Sequence, residues 1–196
     1  MPDWGWIWLS GLLFAVQHSL LASQSCKQYF YRLGMSPTRY RSYFTLAGVL
    51  STALWLVFVS TLVDAPLYQL HGPVMWLLLS LQCLGLLMVL LSLKPIDMGA
   101  FLGLRAFPEG GEGFVERGIY RHLRHPMYSG FMLILLASPV QSINSLNLAL
   151  TVSLYFILGS RLEEHRLQQS HAAYASYRQR VPAFIPGLHS FLSLFI

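Results

Sequence analysis

The polar and aromatic run over residues 118–130, GIYRHLRHPMYSG, stands directly before a long apolar stretch. It holds side chains that can carry charge or a phenolic hydroxyl, namely Arg121, His122, Arg124, His125 and Tyr128. Ionisable groups are costly where a membrane helix begins, so a run of them is a candidate functional site. The proline that follows suits the first position of a helix, whose free amides attract anions. The run therefore predicts one half of a pocket for a nucleotide-type cofactor.

A pair of adjacent carboxylates at residues 163–164 follows the next apolar stretch, residues 126–160. A proline and several polar residues within 139–145 divide that stretch into two short helices. Short antiparallel helices joined by a tight turn have neighbouring ends, so we expect Arg124 and His125 to face the two glutamates. Ion pairs that only close the hairpin would contribute about 0–1 kcal/mol each if exposed. Such pairs would explain the charges but not the accompanying proline, tyrosine and glycine.

The composition is that of an integral membrane protein. Hydrophobic residues make up 55% of the 196 residues and charged residues 11%, whereas soluble domains carry about 25% charged residues. Four stretches without Asp, Glu, Lys or Arg cover residues 4–25, 42–63, 65–93 and 126–160. A helix needs about 20 apolar residues to cross the hydrocarbon core. The sequence predicts an all-α membrane protein of about five transmembrane helices, the last two a short hairpin, with one helix continuing into the cytoplasm through residues 150–177.

The positive charges are confined to three segments. All 13 Lys and Arg residues lie in residues 24–41, 94–125 and 161–180. With five helices these segments share one side, which the positive-inside rule makes cytoplasmic, with the N-terminus outside. A bacterial inner membrane is the expected location, with lipids as partners. The net charge of +5 therefore reflects topology, since no nucleic-acid motif accompanies it and the two cysteines have no metal-ligand spacing.

Three motifs together resemble the isoprenylcysteine carboxyl methyltransferase superfamily of membrane enzymes. They are RHPMYSG at residues 124–130, LEEHRL at residues 162–167 and YASYRQRVPAFIP at residues 174–186. The resemblance covers about residues 102–186 and implies a methyltransferase that uses S-adenosylmethionine. It also implies a division into three transmembrane helices, residues 1–93, and a cofactor-binding catalytic core, residues 94–196.

The resemblance implies cofactor contacts on both sides of the hairpin. These are Arg105, Phe114, Val115, Tyr120, Arg124, His125, Pro126, Met127, Tyr128, Glu163 and Glu164. Two positions depart from the prenylcysteine enzymes: Glu112 replaces a histidine and Gly159 replaces a substrate-binding arginine. The second departure, together with the count of only five helices, argues against a prenylated carboxylate as the methyl acceptor.

Two further motifs are similar to a bacterial subgroup that includes methanethiol S-methyltransferases and NnrU-like proteins. They are HSLLAS at residues 18–23 and IDMGAFLGLRAF at residues 96–107. The similarity implies a small thiol or another lipophilic acceptor. A thiol must lose its proton before it attacks, and His18 is the predicted proton acceptor. A histidine this close to the membrane interface can equally have a structural role.

Two other functions are compatible with these motifs. One is an NADPH-dependent reductase of the sterol reductase type, which uses a similar C-terminal pocket, although the short chain argues against it. The other is an NnrU-like accessory membrane protein that keeps the fold without catalysis. Titration with each cofactor and a screen for methylated products would separate the three.

Overall fold

The computed structural model describes residues 3–106 and 114–186. These residues form eight α-helices, one 3-10 turn and two short strands. The elements in chain order are α1 (Trp4–Ala22), α2 (Gln24–Arg32), α3 (Pro37–Ser60), β1 (Pro66–Gln69), α4 (Gly72–Leu93), α5 (Met98–Phe101), the 3-10 turn (Gly118–Arg121), α6 (Pro126–Leu136), β2 (Val140–Ser142), α7 (Ile143–Ser170) and α8 (Tyr174–Arg180).

Four of these helices, α1, α3, α4 and α7, are long and apolar enough to cross a membrane. The prediction of an all-helical integral membrane protein is thereby confirmed. The fifth predicted span is the short arm of the hairpin, α6, which has 11 residues. At 1.5 Å per residue α6 is roughly 17 Å long, about half the thickness of the hydrocarbon core. A count of five complete spans stays a prediction.

Residues 24–41, which connect two apolar stretches, contain the helix α2 and the first turn of α3. Ser23 is extended and ends α1, and its hydroxyl accepts a hydrogen bond from the Cys26 amide, which starts α2. Ser36 caps α3 in the same way by accepting from the Arg39 amide, with Pro37 at the first helical position. Serine caps and an N1 proline are common helix starts. The helix that contains the apolar stretch from residue 42 therefore begins five residues before it, at Pro37.

One compact unit contains residues 3–65, 97–106 and 142–151 among those described. Gly11 lets α1 pack closely, since a Cβ there would lie 2.9 Å from Cζ2 of Trp55. Trp8 donates to the Asn147 side chain at 2.8 Å. At the other end of α3, Arg41 donates to the Phe101 carbonyl at 2.8 Å. Residues 97–106 of the IDMGAFLGLRAF motif are thereby held against the start of α3.

A second compact unit contains residues 66–96, 114–141 and 152–186 among those described. Within it α4 crosses α6 with backbones in near contact, because a Cβ on Gly85 would lie 2.7 Å from the Gly130 carbonyl oxygen. Small residues allow such approach between membrane helices. The Gln82 side chain donates to the Ile134 carbonyl at 2.8 Å. This crossing fixes α6, which carries the RHPMYSG motif at its start.

The predicted helix over residues 150–177 is confirmed as far as Ser170, but it is not continuous, because a turn interrupts it at residues 171–173. The helix α7 ends at Ser170, and α8 starts at Tyr174 after a turn. The turn allows Tyr174 and Tyr177 to be buried against Phe114, with ring centroids 5.1 and 5.4 Å from it. A straight helix would leave both aromatic rings in solvent, so burial of apolar area favours the break.

Candidate functional site

The carboxylate of Glu164 is the electrostatic centre of the second unit. It is 6% exposed and has three nitrogen partners from different parts of the sequence. Its Oε1 lies 2.8 Å from Arg124 Nε and 3.0 Å from His125 Nε2, and its Oε2 lies 3.0 Å from Arg178 Nε. A carboxylate buried to this degree needs such partners, because an unpaired buried charge is costly. The expectation that Arg124 and His125 face the glutamate pair is confirmed.

The neighbouring Glu163 has a different setting. Its Oε2 accepts a hydrogen bond from the Tyr128 hydroxyl at 2.9 Å. The Tyr128 ring is stacked between two rings, with Phe156 at 4.6 Å and His125 at 5.3 Å, at interplanar angles of 8° and 3°. Glu163 is half-buried. The site thus presents a carboxylate beside aromatic planes, two features that stabilise a cation.

The segment 181–186 runs across the start of α6. The amides of Arg124 and His125 donate to the carbonyls of Pro182 and Ala183 at 2.9 and 3.0 Å. The hydroxyl of Ser129 donates to the Phe184 carbonyl at 2.8 Å, and the Phe184 ring stacks on His125 at 5.5 Å. We call residues 181–184 the C-terminal strap. It closes one side of the site.

The 3-10 turn adds a neutral phenol to the site. Burial, reinforced by the nearby Glu163 carboxylate, raises the pKa of Tyr120 to about 12, so its hydroxyl stays protonated at physiological pH. The Tyr120 carbonyl accepts from the Tyr177 hydroxyl at 2.7 Å. Phe114 packs edge-on against Tyr174, and Val115 beside it is half-buried. The turn and α8 therefore support each other.

Most of the sequence-predicted site residues lie in the second unit. The structure joins Tyr120, Arg124, His125, Tyr128, Glu163 and Glu164 through the contacts above, with Pro126 buried and Met127 half-buried in the first turn of α6. Their binding of a cofactor stays a prediction. Glu112 lies outside the described residues.

Two predicted residues lie in the first unit instead. Arg105 is an exposed side chain that pairs with Asp97 at 2.8 Å, and its hydrogen bonds hold the pKa of Asp97 below its usual value. The ring of His18 lies between aromatic side chains, 5.6 Å from Phe14 and 4.9 Å from Phe44. Their roles as cofactor contact and proton acceptor stay predictions.

Sequence reasoning missed three residues that complete the site. Phe156 lies beneath Tyr128, Phe184 covers His125, and Arg178 is the third partner of Glu164. The two phenylalanines come from apolar or mixed stretches, where the sequence does not distinguish a site residue from other aromatic residues. Arg178 sits inside the YASYRQR motif, and its position one helix turn before the strap was the available signal.

Comparisons with known proteins match the chain to a methyltransferase family model and to several methyltransferases. The family model described as phospholipid methyltransferase matches residues 73–173, more than half of the chain. Methanethiol S-methyltransferase 2 of Bradyrhizobium diazoefficiens is 29% identical over 184 residues, which cover 90% of this chain and 70% of that protein. Methanethiol S-methyltransferase of Crocosphaera subtropica is 30% identical, with 89% and 71% covered.

A further similarity is shorter. Protein-S-isoprenylcysteine O-methyltransferase B of Arabidopsis thaliana is 36% identical over 76 residues, which cover 37% of this chain and 39% of that protein. No solved structure matches the chain.

Proposed function

Because the chain belongs to the phospholipid methyltransferase family, we propose that it transfers a methyl group from S-adenosylmethionine to a small thiol. Membership confirms the resemblance to membrane methyltransferases that the RHPMYSG and LEEHRL motifs predicted, and methyl transfer in a membrane follows from it. The identity of the donor and of the acceptor is the proposal.

The donor is supported by the chemistry of the residues around Glu163. S-adenosylmethionine carries a sulfonium and an ammonium, a carboxylate and an adenine ring. The Glu163 carboxylate and the stacked ring of Tyr128 suit the cationic groups, and the first-turn amides of α6 suit the carboxylate. When bound, the donor would supply a methyl group on a sulfonium: a thiolate sulfur would bond to the methyl carbon as the carbon–sulfonium bond breaks, and S-adenosylhomocysteine would leave. The observation that carries the proposal is the hydrogen bond between Tyr128 and Glu163.

The chain's own residues then hold the donor and exclude water. His125, Met127, Tyr128 and Glu163 hold the donor, with Tyr120, Phe114 and Val115 beside them. The C-terminal strap, through Phe184 on His125, excludes water from the start of α6. Exclusion of water and a fixed approach of the reacting atoms are the main requirements of a direct displacement.

A thiol acceptor is supported by two observations. Relatives that match about nine tenths of this chain are named methanethiol S-methyltransferases, and the resemblance implies that Gly159 stands where prenylcysteine enzymes have a substrate-binding arginine. The thiol proton must pass to a base before attack. We assign that role to His18, whose aromatic surroundings suit a small apolar thiol.

The membrane orientation is also part of the proposal. The basic residues lie in the connections 24–41 and 94–125 and in residues 161–180, which the positive-inside rule places in the cytoplasm of a bacterial cell. S-adenosylmethionine is made in the cytoplasm, so this orientation gives the site access to its donor.

Headspace gas chromatography tests the proposed reaction. The purified protein, supplied with S-adenosylmethionine and methanethiol, should release dimethyl sulfide together with one S-adenosylhomocysteine per turnover. Calorimetry should show that S-adenosylhomocysteine binds the wild type and binds His125→Ala at least about tenfold more weakly. Binding without any thioether product would refute the thiol acceptor, and equal or absent binding in both proteins would refute the donor site.

A further inference from the structure

Glu164 differs from its neighbour Glu163 in how completely its oxygens are used. Oε1 lies within 3.0 Å of both Arg124 Nε and His125 Nε2, and Oε2 lies 3.0 Å from Arg178 Nε. The side chain is 8% exposed. A carboxylate with three charged or chargeable partners and almost no exposed surface has little capacity left for a ligand. Glu163, half-buried and bonded to a hydroxyl, keeps that capacity.

The partners of Glu164 are themselves the anchors of the C-terminal strap. The guanidinium of Arg124 donates through Nη1 to the carbonyls of Arg178 and Val181. Its backbone amide donates to Pro182 at 2.9 Å, and the next amide, of His125, donates to Ala183 at 3.0 Å. The Glu164 carboxylate fixes the Arg124 side chain, so it also fixes the path of the strap.

The same carboxylate determines how His125 is presented. A carboxylate can only accept, so the Nε2 that lies 3.0 Å from it must carry a proton. With Nε2 tied to Glu164, the ring is held parallel to Tyr128, at 3°, and beneath Phe184. The hydrogen bond to Glu164 thus orients the His125 ring, on which the Tyr128 ring stacks.

We propose that Glu164 is a positioning residue: it acts through Arg124 and His125 to hold the C-terminal strap closed over the start of α6, and, in contrast to the contact that the resemblance implies, it does not touch the cofactor. This role deepens the proposed function and rests on it only for what the closed strap serves. Glu163 remains the carboxylate that meets the donor.

Hydrogen exchange of the ligand-free protein tests the positioning step. The amides of Arg124 and His125, which donate to the strap, should be protected in the wild type and should exchange at least about tenfold faster in Glu164→Gln, because the uncharged amide holds Arg124 less strongly. The matched control Glu163→Gln should leave both amides protected. Equal exchange in the wild type and Glu164→Gln would overturn the proposal whether or not the protein is a methyltransferase.

A double-mutant cycle tests whether Glu164 is coupled to Arg124. Binding of S-adenosylhomocysteine should weaken about tenfold or more in Glu164→Gln and in Arg124→Gln. The double variant should lose less affinity than the product of the two single losses, since linked residues are not additive. In the double variant of Glu163→Gln and Arg124→Gln, the loss of affinity should equal the product of the two single losses. A multiplying loss for Glu164→Gln would mean direct contact with the ligand, and unchanged binding would mean a purely structural residue; either overturns the proposal.

A milder variant decides the matter if Glu164→Gln does not fold. Arg178→Gln removes the partner whose side chain is 49% exposed, so folding should survive. The backbone amide of residue 124 should exchange faster in Arg178→Gln than in the wild type, but more slowly than in Arg124→Gln. Unchanged exchange in Arg178→Gln would contradict a strap held by the Glu164 partners. Failure of the wild type to bind S-adenosylhomocysteine would instead refute the proposed donor and leave the exchange result standing.

Discussion

Replacing Tyr128 by phenylalanine separates the contribution of the hydroxyl from that of the ring in the candidate site. The hydroxyl donates to Glu163 Oε2 at 2.9 Å, while the ring stacks on Phe156 and His125. Phenylalanine keeps both stacking contacts and loses only the hydrogen bond. The change therefore measures what the bond contributes to holding the Glu163 carboxylate ready for a cation.

The size of the effect follows from the type of bond. A hydrogen bond to a charged group contributes about 1.5–3 kcal/mol, and every 1.4 kcal/mol is tenfold in affinity. The contact is only partly buried, which favours the lower end. We expect Tyr128→Phe to bind S-adenosylhomocysteine about tenfold more weakly. Tyr128→Ala also loses two aromatic contacts, each worth about 0.5–1.5 kcal/mol, and should be weaker again by at least about fivefold.

Calorimetry in detergent micelles provides the affinities, and thermal unfolding confirms that each variant is folded. Tyr68→Phe is the matched control, because its hydroxyl donates to the Ser138 carbonyl beside the strand pair and not to the site. It should bind the ligand like the wild type. If Tyr128→Phe binds within twofold of the wild type, or if Tyr128→Ala binds no more weakly than Tyr128→Phe, the reasoning from this contact is refuted.

Four further substitutions test separate parts of the structure. Glu163→Ala should lose affinity for S-adenosylhomocysteine, whereas Cys83→Ala, at an exposed position on α4, should leave affinity unchanged. Equal affinities of the two variants in calorimetry would contradict a pocket built from α6 and α7. Gly130→Ala places a Cβ 2.6 Å from the Gly85 carbonyl oxygen, so we expect a loss of about 1–3 kcal/mol of stability, and an unchanged melting temperature would show that the crossing is looser. Tyr177→Phe removes the hydrogen bond between α8 and the 3-10 turn and should lower the unfolding free energy by about 1 kcal/mol. An unchanged midpoint in a denaturant titration would contradict this.

The transmembrane helices were predictable because hydrophobicity is a property of the local sequence. The apolar stretch over residues 4–25 contains the whole of α1, and the stretch over residues 65–93 contains the whole of α4. Helix ends depend on capping and on tertiary contacts, so predictions failed there. The start of α3 at Pro37 needed the serine cap to be recognised.

The pairing of Arg124 and His125 with the glutamates was predictable because a short hairpin brings its ends together. The division of labour between the two glutamates was not. Adjacent residues on α7 face different neighbours, so Glu164 meets three nitrogen partners while Glu163 meets Tyr128. Only packing of the chain against itself could assign these partners.

The sequence by itself determined the membrane environment, the order of the apolar helices and the family, because each follows from local composition or from short motifs. The tertiary structure decided which way α7 turns after Ser170, where the C-terminal strap lies and which carboxylate is enclosed. These features depend on contacts between residues 40 to 60 positions apart, such as that of Arg124 with Glu164 or with Val181. Such contacts form only when burial of the aromatic rings of α8 brings the C-terminal residues back onto the start of α6.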